Sequence, residues 1–378
     1  MTGKESQSRK IKVGVIFGGR SGEHEVSLQS GQSVIDALDR DKYEIIPVGI
    51  TKHGHWLTGD AVAALTEGKS AAQAALLPDP TASTLMRMDE NENDGGLTAL
   101  AQLDVLIPVL HGTYGEDGTV QGLLELAGLP YVGAGVVGSA VGMDKGIFKH
   151  VMVAHDLPIL PWQLVLKRDW LDDETAVLDQ IEAALPYPVF TKPANLGSSV
   201  GISKCQTRAE LKAGLDEATR YDRRIVVEQG INVRELEVAV MGNDNPIASI
   251  VGEIRPRRDF YDYTAKYLAE PGSDDDSELI IPAEIDEDMS NTVRQLALRA
   301  YKAIDCAGLG RVDLLLDTDN NNIYLNEINT IPGFTRISMY PKLWEATGIP
   351  YSELLDHLIN LALDRHEEKS NLKTDFTE

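Results

Sequence analysis

The pattern of apolar and polar positions divides the first 140 residues into strands followed by helices. The run IKVGVIFGG, residues 11 to 19, is apolar and ends in glycines, and apolar positions of helical spacing follow it in HEVSLQSGQSVIDALDR. That succession is typical of a buried strand leading into an amphipathic helix. YEIIPVGI and LDVLIPVLHG are further apolar runs of strand length. We therefore predict an open parallel α/β domain from residue 11 to about 140.

Beyond Met143 the pattern changes to shorter and more mixed segments. Helical and strand-like stretches alternate as far as RIVVEQG, which predicts a smaller α+β unit. From residue 234 onward, runs such as ELEVAVMG favour antiparallel strands, and a hairpin and C-terminal helices follow. The segment from 70 to 97 is rich in Ala, Asp, Asn and Gly, and we interpret it as a surface excursion. The chain is thus predicted to be an α/β domain followed by two α+β domains, with bounds 1–142, 143–233 and 234–378.

Composition and charge narrow the classes of partner. The chain has 378 residues, with 35 Lys and Arg against 59 Asp and Glu, and its net charge is −24. So acidic a chain is not expected to bind nucleic acid or an anionic membrane as its main partner. Cys205 and Cys306 are far apart, and their spacing suggests neither a disulfide framework nor a zinc site. Because no apolar run approaches the roughly eighteen residues that span a bilayer, we expect a cytoplasmic protein.

The hairpin from Arg311 to Asn329 places charged side chains on an otherwise apolar strand pair. Strand alternation puts the following side chains on one face of each strand: Arg311, Asp313 and Leu315, and Leu325, Glu327 and Asn329. Charged groups in such surroundings are costly to bury unpaired. One interpretation is a structural ion pair between Arg311 and one of the acids. The other is a magnesium site, because carboxylates and an amide oxygen are hard ligands that suit Mg²⁺.

A nucleotide site would need cations for the phosphates and a flexible backbone beside them. Lys145, Lys192 and Lys266 are the candidate cations. The Gly-Ser loop at residues 197 to 201 can approach phosphates closely, because its glycines relax the backbone and its amides and hydroxyls donate. A second loop, YDYTAKYLAEPGSDDD from 261 to 276, displays three tyrosines on a polar background. Such a loop either packs on the body of the protein or closes over a ligand.

Two short glycine motifs match other functions but lack the context that those functions need. GAGVVG, residues 133 to 138, matches a dinucleotide fingerprint, yet Asp156 beyond it lies at a predicted helix end rather than at a strand tip. The Gly-Ser loop also matches a nucleophile elbow centred on Ser199, but a polar loop precedes it instead of a strand. The histidines beyond that serine are His357 and His366. A serine hydrolase and a non-catalytic nucleotide-binding module remain as alternatives.

The longer motifs of the chain stand in the order FGGRSGEHEVSL, LHGTYGEDGTVQG, MDK, TKPANLGSSVG, VVEQGINVRELEVAV, YDYTAKY, GRVDLLLD and YLNEINTIPGFTRISMYP. In this order, from about residue 11 to 365, they closely resemble the D-alanine–D-alanine ligases of the ATP-grasp superfamily. The resemblance implies an ATP-grasp fold of three domains, with ATP gripped between the central and C-terminal ones. It implies ligation of two D-alanines through a D-alanyl phosphate, which supplies cell-wall peptidoglycan synthesis, by a cytoplasmic homodimer.

By this resemblance, one set of residues is assigned to the nucleotide and the metal. Glu228 and the backbone of Ile231 would meet adenine, and Glu235 would take the ribose hydroxyls. The phosphates would be held by lysines and by the Gly-Ser loop, namely by Lys145, Lys192, Lys266, Ser198 and Ser199. Two magnesium ions, for which manganese is the expected substitute, would bind to Asp313, Glu327 and Asn329.

The same resemblance assigns the amino-acid substrates. Glu23 would bind the ammonium of the first D-alanine, with His111 nearby. Arg311 would steady the reacting oxygens and the oxyanion of the tetrahedral intermediate. The remaining contacts to reacting oxygens and to the second substrate's carboxylate would come from Gly333, Ser338 and Met339.

A hydrogen-bonded set of Glu23, Ser198 and Tyr267 completes the catalytic groups implied by the resemblance. The tyrosine loop would then be a lid that brings Lys266 to the γ-phosphate of ATP. An alternative within the family is a ligase that takes D-lactate or another small acceptor in the second position. Relatives that make the ester tend to carry Phe or His at the position of Tyr267, so this residue favours the dipeptide.

Overall fold

The first of the three β-sheets that the described residues form has a parallel core. The computed structural model describes residues 9–88, 96–255 and 278–373. The strands of this sheet are β1 (Ile11–Gly18), β2 (Tyr43–Ile50), β3 (Trp56–Thr58), β4 (Ala72–Leu76), β5 (Thr84–Met88), β6 (Leu97–Gln102) and β7 (Val105–Pro108). They stand in the order β6-β5-β4-β3-β2-β1-β7, and β1 is parallel to both β2 and β7. The predicted parallel α/β arrangement is confirmed.

Strand β1 lies at the point where the order of the parallel strands reverses. The chain leaves β1 through helix α1 (His24–Ala37) to β2 on one side, and later returns to β7 on the other side. The carboxyl ends of the two strands β1 and β7 therefore border a crevice, which is where open α/β sheets bind ligands. Glu23 stands just beyond β1, and His111 stands just beyond β7. Helices α2 (Ala61–Glu67) and α3 (Thr119–Leu126) complete this part of the chain.

The segment predicted as a surface excursion is more regular than expected. Strands β3, β4, β5 and β6 pair antiparallel in succession and extend the first sheet away from β2. The ribbon does lie at the surface, because β6 is exposed along nearly its whole length. Its sequence, LTALAQ, lacks β-branched and aromatic residues apart from one threonine, so propensity did not indicate a strand.

The second sheet is small and antiparallel. Its strands are β8 (Trp162–Leu166), β9 (Val189–Pro193), β10 (Ser203–Cys205) and β11 (Arg224–Gln229), in the order β10-β9-β11-β8. Helix α4 (Val136–Met143) precedes this sheet and packs instead against β16 (Ile323–Asn329), a strand of the third sheet. The helices that pack on the second sheet are α5 (Lys145–Ala154), α6 (Lys167–Asp172), α7 (Glu174–Ala184) and α8 (Arg208–Ala218). Asp144, Asp173 and Thr207 cap α5, α7 and α8 by accepting backbone N–H groups. Trp170 is buried in the core beneath this sheet.

The third sheet is also antiparallel and carries the predicted hairpin. Its strands are β12 (Val233–Met241), β13 (Ile247–Arg255), β14 (Glu278–Ile280), β15 (Leu309–Asp317) and β16 (Ile323–Asn329), in the order β14-β13-β12-β15-β16. The helices of the described residues that pack with it are α9 (Glu287–Ala303), α10 (Met339–Thr347) and α11 (Tyr351–Ser370). In the described part of the chain, no helix combines the length and the apolar character needed to cross a bilayer.

One hydrophobic core joins the first sheet to the C-terminal helices. Val105 and Ile107 of β7 belong to the same buried cluster as Trp344 of α10 and Leu354 and Leu358 of α11. Burying a side chain of this size contributes about 1.5–3 kcal/mol. The cluster therefore fixes the carboxyl ends of β1 and β7 against the segment that follows β16, and it sets the geometry of the cleft between them.

Candidate active site

Glu23 and Ser198 join the first sheet to the Gly-Ser loop. Glu23 is buried at the start of α1, and its Oε1 accepts a hydrogen bond from the hydroxyl of Ser198. Ser198 and Ser199 have φ angles of 52° and 58°. Non-glycine residues in this left-handed region cost about 1–3 kcal/mol each and cluster at ligand sites. The structure therefore places together two of the three members of the predicted Glu23–Ser198–Tyr267 set.

Two glycines make room for the Glu23 carboxylate. A Cβ at Gly112, whose φ is 75°, would overlap Glu23 Oε2 and lie 2.7 Å from Ser21 Oγ. A Cβ at Gly197 would lie 3.0 Å from the same carboxylate oxygen. The carboxylate is thus held between two closely approaching backbone segments, and the positive φ at Gly112 favours glycine there.

His111 is a neutral link between the first sheet and the loop after β16. Its Nδ1 lies 3.0 Å from the Ile331 carbonyl, so Nδ1 carries the proton and donates it. Its Nε2 then accepts from Ser30 Oγ at 2.9 Å, and Ser30 Oγ accepts the Phe334 N–H at 3.3 Å. Burial lowers the pKa of His111 and outweighs the nearby Glu23 carboxylate, which raises it. A neutral imidazole leaves Glu23 free to pair with a substrate ammonium.

Glu116 is a site residue that the sequence analysis did not single out. Its Oε2 accepts the Gly112 N–H at 2.8 Å, and its Oε1 accepts the Ile331 N–H at 3.2 Å. Burial and then the charge of Glu23 raise the pKa of Glu116 to about 8, against its two backbone donors. The sequence did offer one indication of this role, because Glu116 lies in the glycine-rich motif LHGTYGEDGTVQG. An acidic residue in such a motif is a candidate for accepting hydrogen bonds from backbone N–H groups.

Arg311 lies at the centre of a carboxylate network on the third sheet. Its Nε and a terminal guanidinium nitrogen donate to the two oxygens of Asp313 at 2.7 and 2.6 Å, and Nε also lies 3.0 Å from Glu237 Oε2. Asn329 Nδ2 donates to Asp313 Oδ2 at 3.0 Å. Bidentate arginine pairs of this kind are strong and directional. The ion pair proposed for Arg311 is present, and its partner Asp313 is also one of the residues assigned to the metal.

A β-bulge in the hairpin makes one part of the predicted strand face wrong. Arg311 pairs with Asn329 and Asp313 with Glu327, as alternation predicts, but Leu314 then pairs with Leu325. Asn326 is the extra residue on β16, and it shifts the strand by one position. Leu325 is fully buried in the core and does not share the face of Glu327 as predicted. The bulge separates the polar end of the hairpin from its apolar end.

The carboxylates of the hairpin fit a hard cation by their chemistry and placement. Asp313 and Glu327 are directly opposite each other on β15 and β16, and Asn329 adds an amide oxygen. Arg311 neutralises Asp313, and Lys145 Nζ lies 3.0 Å from Glu327 Oε2. Across the described residues, no group of three or more His, Cys, Asp or Glu side chains converges as a metal cluster. A cation held here would therefore draw on two carboxylates and an amide, as Mg²⁺ does beside phosphates.

Two of the three lysines assigned to phosphate, Lys145 and Lys192, lie on the central part of the cleft. Lys145 Nζ donates to the Leu196 carbonyl at 2.9 Å, which ties α5 to the base of the Gly-Ser loop. Lys192 Nζ donates to Glu228 Oε2 at 2.6 Å. Glu228 also accepts from Lys149, a fully buried lysine that the sequence analysis did not single out. Burial raises the pKa of Glu228, but the two lysines outweigh it and bring the pKa to about 2.

The residues assigned to adenine and ribose lie where the second sheet passes into the third. Ile231 is half-buried in the short link between β11 and β12, and Glu235 is half-buried on β12 opposite Leu315. Burial lowers the pKa of Lys192, but Glu228 outweighs it, and the more distant charges of Glu327 and Glu235 also raise that pKa. The residues assigned to the nucleotide on the two sheets therefore lie on the same side of the cleft as Lys192.

The loop before α10 is braced by its own side chains. Ser338 Oγ accepts the Thr335 N–H at 3.1 Å and lies 2.8 Å from Thr335 Oγ1. A Cβ at Gly333 would lie 3.1 Å from Ser338 Oγ. Ser338 is the N-cap of α10 and Met339 its first residue, so the N–H groups here have no partner within the helix. These amides suit a substrate carboxylate.

Two cavities lie among the described residues, and one of them reaches the cleft. One of about 700 Å³ is lined by Glu125, Cys306 and Arg365 among others, and it lies away from the assigned residues. Another, of about 320 Å³, reaches the cleft through Ser21 and His111. Neither cavity is lined by the lysines or the carboxylates assigned to ATP. The hydrogen bonds and ion pairs among those side chains, rather than a cavity, mark the candidate nucleotide site. Lys266 and Tyr267 lie outside the described residues.

Comparison with known proteins places the chain in a family. The description "D-ala D-ala ligase N-terminus" matches residues 12–134, and "D-ala D-ala ligase C-terminus" matches residues 151–360. A protein named D-alanine--D-alanine ligase from Heliobacterium modesticaldum is 52% identical over 369 residues, covering 97% of this chain and 98% of that protein. One of the same name from Natranaerobius thermophilus is 46% identical over 374 residues, covering 98% and 100%.

Solved structures agree with this placement. The D-alanine-D-alanine ligase from Coxiella burnetii has a TM-score of 0.80 at 36% identity, covering 96% of this chain and 97% of that one. The VanG D-Ala:D-Ser ligase from Enterococcus faecalis has a TM-score of 0.81 at 35% identity, covering 94% and 100%. Fold and relatives together define an enzyme of the ATP-grasp ligase class. The chain belongs to the D-alanine–D-alanine ligase family, which confirms the resemblance and sets aside the serine hydrolase and the inert module.

Proposed function

We propose that this enzyme joins two D-alanines to D-alanyl-D-alanine, converting ATP to ADP and phosphate. The observation that carries the proposal is identity of 46–52% over nearly the full chain to proteins named D-alanine--D-alanine ligase. The contact of Glu23 with Ser198 supports it, because it brings the assigned ammonium-binding residue to the Gly-Ser loop. The dipeptide would supply peptidoglycan precursor synthesis in the cytoplasm, and the enzyme would act as a homodimer.

In the first step, the carboxylate of one D-alanine attacks the γ-phosphoryl group of ATP. The products are D-alanyl phosphate and ADP, and the acyl group is now activated toward an amine. Glu23 would hold the ammonium of this D-alanine, while Lys145, Lys192 and Lys266 would hold the phosphates. Adenine and ribose would be bound by Glu228, the backbone of Ile231, and Glu235. Such groups act by positioning the reactants and stabilising charge as it moves.

Magnesium, or manganese in its place, would neutralise phosphate charge when held by Asp313, Glu327 and Asn329. The chain's own contribution is to keep these oxygens together before a ligand arrives. Arg311 orients Asp313 through two hydrogen bonds, and Asn329 is bonded to the same carboxylate. Asp313 and Asn329 are therefore positioned by contacts within the hairpin, and Glu327 is paired with Lys145 of α5.

In the second step, the amine of the second D-alanine attacks the acyl phosphate, and phosphate leaves from the tetrahedral intermediate. Arg311 and the Gly333 amide would stabilise the oxyanion. Ser338 and the Met339 amide would receive the carboxylate of the incoming D-alanine. The attacking amine must lose a proton. In this proposal the Ser198 hydroxyl accepts that proton and passes its own to the Glu23 carboxylate, to which it is hydrogen-bonded. Tyr267 completes that set by the family resemblance.

The proposal also specifies which acceptor takes the second position. The relatives at 46–52% identity carry the D-alanine--D-alanine name, whereas the D-Ala:D-Ser ligase is 35% identical. Together with Tyr267, this favours D-alanine over D-lactate or another small acceptor.

The test is product analysis with ATP, D-alanine and equal concentrations of D-serine and D-lactate as competing acceptors. We expect D-alanyl-D-alanine to be the main product, with one ADP formed per dipeptide. A main product with D-serine or D-lactate in the second position would overturn the acceptor. Absence of any ADP-coupled product would overturn the function itself.

A further inference from the structure

Two lysines and one glutamate form a buried ion triad between helix α5 and the second sheet. Lys149 donates to Glu228 Oε1, and Lys192 donates to Glu228 Oε2 at 2.6 Å. The lysines differ in access, because the Lys149 side chain is 2% exposed and that of Lys192 is 15% exposed. Lys192 also lies 3.5 Å from Asn326 Oδ1, on the hairpin of the third sheet. Lys192 borders the cleft, whereas Lys149 is behind it.

The charge of Glu228 cannot be left without a cation. Glu228 is 1% exposed, and both of its oxygens are used by the two lysines. Removing the partners of a buried carboxylate is strongly unfavourable, because its lost hydration is not replaced. If Lys192 turns away from Glu228 toward a phosphate, another cation must therefore remain beside that carboxylate. Lys149 is placed to be that cation.

Helix α5 explains why Lys149 stays in place. Lys145 and Lys149 are four residues apart and so lie on the same face of the helix. Asp144 caps the helix through the Ile147 N–H and is bonded to Arg224 of β11 at 2.6 Å. Glu228 is on that same strand. The helix that carries Lys149 is thus fixed to the strand that carries its partner.

We propose that Lys149 is a positioning residue for nucleotide binding, which holds the charge of Glu228 while Lys192 turns from Glu228 to the phosphates of ATP. This inference rests on the proposed function, which assigns phosphate to Lys192. Lys149 does not itself touch the nucleotide in this account. It acts by keeping Glu228 paired, so that Lys192 can break its own ion pair with Glu228.

The test is Lys149→Met, which removes the charge and keeps most of the side-chain length. Glu228 would then retain Lys192 as its single cation, and nucleotide binding would have to break that pair. We expect the Kd for ADP and the KM for ATP to rise roughly tenfold or more, with a much smaller change in kcat at saturating ATP. Lys149→Arg keeps the charge and should stay close to the wild type. Lys212→Met, an exposed lysine of the same region, is the matched control and should change neither constant.

A double variant separates this role from a merely structural one. In Lys149→Met with Glu228→Gln, the buried negative charge is gone, so Lys192 is again available to phosphate. Its ADP affinity should return to that of Glu228→Gln alone, which is a non-additive result. Should Lys149→Met fail to fold, the comparison of the double variant with Glu228→Gln still decides the matter. Unchanged affinity in Lys149→Met, or a double variant weaker than Glu228→Gln, would overturn the proposal.

Calorimetry with ADP keeps this test independent of the ligase reaction. A wild type that binds ADP but forms no dipeptide would refute the proposed function while the role of Lys149 is still measured. A wild type that binds no nucleotide would overturn both.

Discussion

Glu23 shows how strongly a single side chain in this cleft depends on the backbone around it. Its carboxylate is bonded to Ser198 and enclosed by Gly112 and Gly197. Nothing about Glu23 itself, an acid at the start of a helix, distinguishes it from a solvent-exposed residue. The glycines supply the constraint, because they bring two chain segments within contact of its oxygens.

Gly112→Ala is therefore expected to damage the first amino-acid site. The new methyl group would overlap Glu23 Oε2, and the φ of 75° is unfavourable for alanine. We expect a loss of roughly 1–3 kcal/mol in the free energy of unfolding and a higher KM for D-alanine, measured by denaturant unfolding and steady-state kinetics. Gly22→Ala is the control, since a Cβ there meets nothing within 4 Å. Equal effects of the two substitutions would contradict this view of Glu23.

Arg311→Ala tests the residue at the centre of the carboxylate network. Its guanidinium would stabilise the oxyanion, and removing such a donor typically lowers kcat about 10²–10³-fold. Because the phosphates are assigned to lysines and not to Arg311, nucleotide affinity should change far less, as measured by ADP calorimetry. A variant with near-normal turnover would rule out the proposed role of Arg311.

The two cysteines give a prediction about pH. Burial and then Glu210 raise the pKa of Cys205 to about 11, and burial raises that of Cys306 to about 12. Above the ordinary value of 9.0, the unfolded chain loses thiol protons that the folded chain keeps, so the free energy of unfolding falls as the pH rises. In the native protein at mildly alkaline pH, neither thiol should react quickly with a disulfide reagent, and both should react after denaturation. Rapid reaction of Cys306 in the native state would contradict its burial.

At the scale of elements, the hairpin of β15 and β16 was well predicted and then modified by one residue. Period-two alternation placed Arg311, Asp313, Glu327 and Asn329 together, and their register agrees. The bulge at Asn326 was not predictable, because it depends on how Leu325 packs into the core rather than on any local signal. The local sequence pattern thus indicates which strand faces are polar. Tertiary packing decides where a bulge shifts the alternation of side chains from one face to the other.

The site residues that the sequence did not single out share one property: each acts on a distant part of the chain. Glu116 accepts the N–H of Ile331, and Lys149 pairs with Glu228. A buried lysine on an amphipathic helix looks like a solvated residue in sequence. The ribbon of β3 to β6 was missed for a different reason, since its strands have weak propensity and gain their order from pairing with the rest of the sheet.

At the scale of the whole molecule, helix α11 helps to fix the position of the first sheet relative to the third. Arg365 donates to the carbonyls of Gly133 and Tyr131, and its guanidinium lies 4.7 Å from the centre of the Tyr131 ring. Leu354 and Leu358 of the same helix pack in the core that contains β7. The cleft between the sheets therefore depends on a helix that contributes no assigned site residue. The three-domain division at 142 and 233 stays a prediction.

Arg365→Ala is expected to weaken this connection. It would leave two partly buried carbonyls without their donor, which costs about 1–3 kcal/mol, and the loss should appear in the free energy of unfolding. Lys369→Met removes the neighbouring exposed pair with Glu125, so its effect should stay below about 1 kcal/mol. If the two variants unfold alike, the cleft does not depend on Arg365.

The proposed reaction activates one D-alanine as its acyl phosphate before the second D-alanine attacks. The most direct measurement uses D-alanine labelled with ¹⁸O in its carboxylate, with ATP and magnesium, and follows the label by mass spectrometry of the products. We expect one labelled oxygen in the released phosphate for each D-alanyl-D-alanine formed, because the attacking carboxylate oxygen leaves with the phosphoryl group. Dipeptide formed together with unlabelled phosphate would contradict it.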